Sequence, residues 1–274
     1  MRFSRACAAV GAAVGIVVLA GPAVPARAAD LGYGSIKDAP VPVAGRTWYL
    51  KGTVGVKNED ASSIWTSGGG TEGPGYESGN FIVESIDIER KAIFGVGVGL
   101  EYNRWLRFDV TGEYRGNQRF KARDYNHVGG YNNDYSADLD GWLGLFNAYV
   151  DLYRWRGFTP YVGGGIGISA FEVENFKDVN VVKVATFTGD ASKTTTNFAW
   201  ALYAGVGYDV TPNLALDVAY RYADLGDART GRATNEDGLR WYTGLEIQDI
   251  TSHDVLVRLR YRFGQSGASP VALK

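Results

Sequence analysis

The sequence is poor in the residues that staple or metallate a fold. Among 274 residues there is one Cys, one Met and two His. A single Cys cannot pair within the chain, which excludes a disulfide framework and a cysteine-based zinc finger. Two His leave few places for a histidine metal site or for histidine-dependent catalysis. A surplus of one charge is also lacking. The 28 basic residues face 30 acidic ones, so nothing here points to nucleic acid. Beyond residue 28 no stretch reaches the roughly 18 consecutive apolar residues of a membrane helix. None of this excludes a barrel in the membrane, whose strands are apolar on one face only.

What is present begins with an export signal. Arg2 and Arg5 precede the apolar stretch Ala6–Ala20, and Ala26-Arg27-Ala28 meets the small-x-small rule for cleavage after Ala28. Residues 1–28 therefore read as a cleaved signal peptide. Cys7 falls inside it and lacks a lipoprotein context. The mature chain then has no Cys, and loss of Arg2, Arg5 and Arg27 leaves 25 basic against 30 acidic residues. Residues 29–45, with Gly34, Pro40 and Pro42, read as a flexible periplasmic lead.

From residue 46 a period of two takes over and returns seven times. In 47–57, Trp48, Leu50, Val54 and Val56 alternate with Thr47, Tyr49, Lys51, Thr53 and Lys57. That is a strand with one apolar and one polar face. The other seven strands fall at about 90–102, 105–116, 139–152, 158–171, 197–210, 213–223 and 253–263. Their connections alternate in length. Asn103-Arg104, a short run near 153–157 and Thr211-Pro212 are tight, whereas 58–89, 117–138, 172–196 and 224–252 are long. Short turns on one rim and long loops on the other mark an outer-membrane barrel, and a soluble domain rarely carries four structureless loops of such length. The expected fold is all-β: an eight-stranded antiparallel transmembrane barrel over 46–263, with four long extracellular loops, short periplasmic turns and a periplasmic tail, 264–274.

The apolar face must then point at lipid. Aromatic residues on it fall near the strand ends: Trp48, Tyr102, Phe158, Tyr208, Tyr261 and Phe263 toward the short turns, Tyr114, Trp142, Trp200, Tyr220 and Tyr222 toward the long loops. Two aromatic girdles around a Val/Ile/Leu belt argue against a soluble barrel of the lipocalin kind, in which the faces would be reversed.

The same parity sends fourteen charges inward. The bases are Lys51, Arg107, Arg115, Arg221, Arg258, Arg260 and Arg262, and the acids are Glu101, Asp109, Glu113, Asp151, Asp209, Asp217 and Asp254. Eight strands enclose a lumen just wide enough for side chains to fill, and unmatched charge there is costly, so pairing is expected. Across the Asn103-Arg104 turn, the register places Glu101 beside Arg107, Gly99 opposite Asp109 and Gly97 opposite Thr111. The glycines are expected to leave room for Arg stems. Two readings stand: a lumen plugged by ion pairs, or a narrow ion path along the same residues.

Other motifs carry less. Gly95-x-Gly97-x-Gly99 and Gly163-Gly164-Gly165-x-Gly167 lie within strands, with no helix following, so they do not form a phosphate loop. In Ser252-His253-Asp254, adjacent side chains point to opposite faces and cannot converge as a triad. His127 sits in the second long loop, and neither His has the Ser two positions later expected of a lipid A deacylase barrel. Asp134, Asp138 and Asp140 miss the spacing of an EF-hand and read as solvated loop acids. Ala61–Asn80, rich in Gly and Ser, reads as a mobile loop. No catalytic residues, metal site or cofactor are expected, and the chain is not expected to be an enzyme.

With these residues in view, the chain resembles the small outer-membrane β-barrel proteins of the OmpA-type, or porin-family, superfamily, most of all the surface antigens of alphaproteobacteria. The resemblance rests on Ala28-Ala29-Asp30, on Arg104–Tyr114, on Asn147–Tyr153 with Phe158–Gly167, and on the closing Val255–Phe263. Tyr261 and Phe263 resemble the aromatic-ended signal read by the outer-membrane insertion machinery. The resemblance implies a structural or surface-interacting protein of the envelope. Its implied partners are outer-membrane lipid and lipopolysaccharide, the insertion machinery and a surface ligand that the sequence does not identify. Proteases added to intact cells should cut within the four long connections and spare Asn103-Arg104 and Thr211-Pro212. Preferential cleavage at either short turn, mapped by mass spectrometry, would invert the assigned orientation.

Overall fold

A computed structural model describes residues 46–66, 81–126, 129–180, 185–189, 192–236, 238, 241–242 and 244–263. The expected signal peptide (1–28), lead (29–45) and tail (264–274) lie outside the described residues, as do His127 and residues 67–80 of the expected mobile loop.

Eight long strands form the barrel: β1 (Thr47–Asp60), β2 (Lys91–Glu101), β3 (Leu106–Tyr114), β4 (Tyr131–Asp151), β5 (Phe158–Asn180), β6 (Lys193–Asp209), β7 (Leu214–Arg229) and β8 (Leu245–Arg262). Each pairs antiparallel with its neighbour in sequence. Pairing of β8 with β1, from Tyr49↔Arg262 to Asp60↔Thr251, closes the ring. Closure is what the bilayer demands, because an open edge would leave N–H and C=O groups without partners in hydrocarbon.

The outward face carries Leu50, Val54, Val96, Val98, Val110, Phe146, Ile166, Ile168, Leu202, Val218, Val257 and Leu259, all well exposed. The girdle aromatics lie on the same face and contact one another, mostly across strands. Phe158 meets Tyr208 at 4.8 Å and Tyr261 meets Phe263 at 5.4 Å toward the short turns. Tyr114 meets Trp142 at 5.0 Å and Trp200 meets Tyr222 at 5.5 Å toward the long connections.

The strand limits depart from the sequence expectation on the long-connection side. The segments expected as structureless loops continue the sheet. Gln118–Asn126 pairs with the upper part of β4 and with a further strand, Phe81–Ile88. Strand β5 runs on to Asn180 and pairs with Ala185–Gly189. Ser63–Thr66, inside the expected mobile loop, pairs with β8.

The alternation missed these extensions because its sign reverses there. In β4 the outward residues change from Phe146 and Trp142 to Asp140, Asp138, Ser136 and Asp134. The inward ones change from Asn147 and Asp151 to Leu139, Ala137 and Tyr135. Above the girdle the barrel encloses an apolar core that includes Phe120, Leu139, Phe171, Val173, Phe176, Leu225, Ile247 and Ile250. The outside there meets water, so the sheet takes the pattern of a soluble protein.

Val98 projects outward from the middle of β2. Val98→Arg should destabilise the folded barrel by roughly 2–4 kcal/mol, the effect of Arg near the bilayer midplane, whereas Val98→Leu should fold as the parent does. Urea titration of both variants in lipid vesicles checks this, and equal stability would refute the outward assignment.

Candidate functional site

The lumen is built by inward residues at alternate positions of the ring strands. Of the fourteen charges assigned to it, twelve are buried in the structure; Glu101 and Asp209 sit at the short-turn mouth and are partly exposed. The contacts resolve into separate groups along the barrel axis.

At the short-turn mouth, Arg260 donates to Asp217 at 2.6 and 3.0 Å and to Glu101 at 2.9 Å. Arg262 donates to the same Glu101 oxygen at 2.8 Å and to Asp209 at 2.7 Å. Arg107 donates to Asp151 at 2.9 Å. Higher, Lys51 donates to Asp109 at 2.6 Å, and that carboxylate also accepts from Tyr49 at 2.9 Å and Asn147 at 2.8 Å. Toward the long connections, Arg221 forms a two-pronged contact with Glu113 at 2.9 and 2.7 Å and donates to Asp254 at 2.8 Å. Arg115 bridges Glu59 at 2.8 Å and Asp254 at 3.1 Å, and donates to Ser252 at 2.6 Å. The Gln118 amide donates to the second Glu59 oxygen.

Arg258 has no carboxylate within ion-pair distance among the described residues. Its guanidinium lies over the rings of Tyr203 at 4.7 Å and Tyr149 at 5.8 Å, an attraction of cation for the π-face.

Two expectations require correction. Glu101 and Arg107 are register partners but do not form an ion pair. The Arg107 guanidinium turns toward β4 and β5, where it meets Asp151 and sits 5.1 Å from the Tyr149 ring and 4.7 Å from that of Tyr161. Glu101 is taken by two arginines of β8. Gly97 and Gly99 do leave room, but not for arginine. A Cβ at Gly99 would collide with the Tyr49 ring, and one at Gly97 would lie 2.7 Å from Thr111 and 3.4 Å from the Lys51 stem.

The sequence reading also omitted residues from the lumen. Lys57 is buried beside Glu59 at 3.2 Å, so the lumen gains one base and one acid. Lys57 lay on the inward parity of β1 and could have been counted. Glu59 could not, because it fell in an expected loop. Tyr49, Tyr149, Tyr161 and Tyr203 fill the middle of the lumen, where their large rings leave little space.

The loop acids are satisfied by neighbours on the extended sheet. Arg123 donates to Asp134 at 2.5 and 3.0 Å, and this contact holds the Asp134 carboxyl below the usual carboxylate range. Asn175 donates to Asp138 and Tyr114 to Asp140, both at 2.8 Å. Burial raises the Asp124 carboxyl, against donors from Tyr135 and Asn133. No group of three ligands able to hold a metal ion occurs among the described residues. Ser252 and Asp254 are buried inside while His253 is outside, donating or accepting with Tyr220 at 2.5 Å.

A closed antiparallel ring with a lipid-facing apolar belt, two aromatic girdles and charged interior side chains defines a transmembrane β-barrel of the outer membrane. The chain belongs to the outer membrane protein beta-barrel domain family, whose model matches residues 47–263. It is 32% identical over 243 residues to an uncharacterized protein of Brucella abortus (strain 2308), covering 79% of this chain and 84% of that one. It is 28% identical over 169 residues to a protein of Rickettsia bellii (strain RML369-C) whose name proposes an adhesin, covering 61% and 72%. The solved outer membrane protein OprG from Pseudomonas aeruginosa aligns with 80% of this chain and 96% of its own, at 14% identity and a TM-score of 0.48.

Lys51 and Asp109 offer a test of the lumen energetics. Asp109→Asn leaves Lys51 buried without a counter-charge and should cost about 3–5 kcal/mol, and Lys51→Met with Asp109→Asn should recover part of that loss. Urea melts of the wild type, both single variants and the double variant in detergent micelles give the coupling. Additive losses would mean that the two charges do not interact.

Proposed function

We propose that this barrel acts at the cell surface through the sheet it raises above the bilayer, contributes to envelope integrity, and keeps its lumen closed by paired charges. The observation that carries the reading is the extension itself. A barrel that only had to span the membrane would need no strand beyond the girdle, yet β4, β5, Phe81–Ile88 and Gln118–Asn126 build a sheet with an apolar inner face and a charged outer one. The adhesin-named relative supports the same reading. The lumen contacts support closure, since nearly every inward base has an acid within 4 Å.

Within the family, this reading places the chain with the OmpA-type and porin-family surface antigens and gives it no enzymatic role. The export signal would be cleaved after Ala28. Lipid and lipopolysaccharide would surround the belt, and the insertion machinery would read Tyr261 and Phe263, which lie on the outward face. The surface ligand is defined only by where it would bind, on the charged outer sheet.

Two measurements test the proposal. Planar-bilayer recordings of the purified protein should show almost no steady current; a stable, ion-selective current would replace the plug with a low-conductance channel. Cells expressing a variant in which a tight turn replaces Gln118–Asp138 should lose attachment to immobilised extracellular-matrix proteins while still displaying the barrel. Unchanged attachment would remove the surface role from that sheet.

A further inference from the structure

The exposed cations divide into two populations. On the cell-surface side several are matched, Arg119 with Asp138 at 3.5 Å, Arg123 with Asp134 at 2.5 Å, Arg229 with Glu246 at 2.8 Å and Lys91 with Glu89 at 3.0 Å, while the exposed Arg90, Lys121, Lys177 and Lys193 are spread over separate segments of the raised sheet. On the periplasmic side none has a carboxylate of its own among the described residues, and they lie together. Arg46, Arg104, Arg154 and Arg156 are all exposed. Among the described residues the one carboxylate within ion-pair distance of any of them is Asp151, at 3.8 Å from Arg154, and Asp151 is already engaged by Arg107. The other acids of that mouth, Glu101 and Asp209, accept from Arg260 and Arg262. Among the described residues no negative charge is left over at this rim.

The four arginines are also contiguous. Arg46 precedes β1, Arg104 lies in the β2–β3 turn, and Arg154 and Arg156 lie in the β4–β5 turn. The last two turns are joined by a hydrogen bond from Asp151 N to Trp105 O at 2.8 Å. The remaining turn, Val210-Thr211-Pro212-Asn213, is uncharged. The positive charge thus covers one arc of the rim, from β1 to β5.

Aromatic side chains are interleaved with it. Tyr102, Trp105, Tyr153 and Trp155 are exposed. Arg46 lies 4.9 Å from the Tyr102 ring and Arg156 lies 5.3 Å from that of Trp155. Trp and Tyr settle at headgroup depth, and arginines held against them are kept at that depth. Arg156 moreover has a φ of 50°, a conformation in which Gly or Asn would be less strained. Local folding therefore does not account for arginine at that position.

We infer that this arc is a binding surface for anionic phospholipid headgroups of the periplasmic leaflet. Phosphodiester oxygens supply the charge that the rim lacks, and the geometry places guanidinium groups and interfacial rings together at the depth of those oxygens. Attraction of Arg to an anionic leaflet is electrostatic and screened by salt. The inference rests on the barrel lying in the outer membrane with its short turns toward the periplasm.

Electron spin resonance with spin-labelled lipids tests it. The protein purified from outer membranes is placed in phosphatidylcholine vesicles, and the association of labelled phosphatidylglycerol is compared with that of labelled phosphatidylcholine. The wild type should prefer phosphatidylglycerol about threefold at low salt, and the preference should fall toward unity in about 1 M NaCl. The variant Arg46→Gln/Arg104→Gln/Arg154→Gln/Arg156→Gln should lose the preference, while Arg119→Gln/Lys121→Gln/Arg123→Gln should keep it. Equal association of both lipids with the wild type, or equal loss in both variants, overturns the inference. Binding to isolated peptidoglycan that needs the four arginines, without lipid selectivity, also overturns it and assigns the arc to the wall polymer. The heat-modifiable gel shift of each sample separates the two levels: an unfolded chain indicts the barrel in that variant, whereas a folded barrel without selectivity indicts only the arc.

Discussion

Inside a bilayer no water is available to satisfy a backbone amide, and this constraint shapes the rest of the molecule. Every strand of the spanning region needs two hydrogen-bonded neighbours. The ring meets the demand by pairing β8 with β1, so that the last strand completes the first. Closure in turn fixes the period of two, because each residue of a closed sheet faces either the lipid or the lumen. It also fixes the size of the lumen, since eight strands leave space for side chains and little else.

The solvent then determines the composition of each face. Around the belt the outside is hydrocarbon, so polar and charged side chains go inward. Above the girdle the outside is water, so the same strands carry an apolar core and a charged exterior. The change is visible within single strands. In β4, Tyr149 and Asn147 face the lumen below, while Leu139 and Ala137 face the core above. One uninterrupted sheet thus follows two opposite rules, and the crossover marks the membrane surface near Trp142 and Asp140.

Charges buried in the lumen are largely withdrawn from solvent, so each is held by a partner chosen by reach. Lys51 and Asp109 lie on β1 and β3, with β2 between them, and glycines on β2 let the Lys51 stem and the Tyr49 ring cross that strand. Arginines of β8 reach Glu101 on β2 over the intervening β1. Some pairs follow the ladder, as Arg221 and Asp254 do, but others cross an intervening strand, and a network of this kind ties non-adjacent strands together. Arg258 shows that an aromatic face can stand in where a carboxylate is lacking.

The sequence by itself determined the number of ring strands, their order and the face each residue takes, because alternation between lipid and lumen writes polarity directly into every second residue. It also marked the girdles, since the aromatic positions fall at strand ends. It did not determine how far the strands run. Tyr131–Leu139 and Glu172–Asn180 carry no apolar outward face, because water replaces lipid there, and a pattern defined by lipid cannot see them. Nor did it determine which charges meet. Glu101 and Arg107 are neighbours in register, yet their partners are set by side-chain length, by the rings of Tyr149 and Tyr161, and by strands far apart in sequence. Only closure of the barrel brings those groups within reach, so the pairing was decided by tertiary structure.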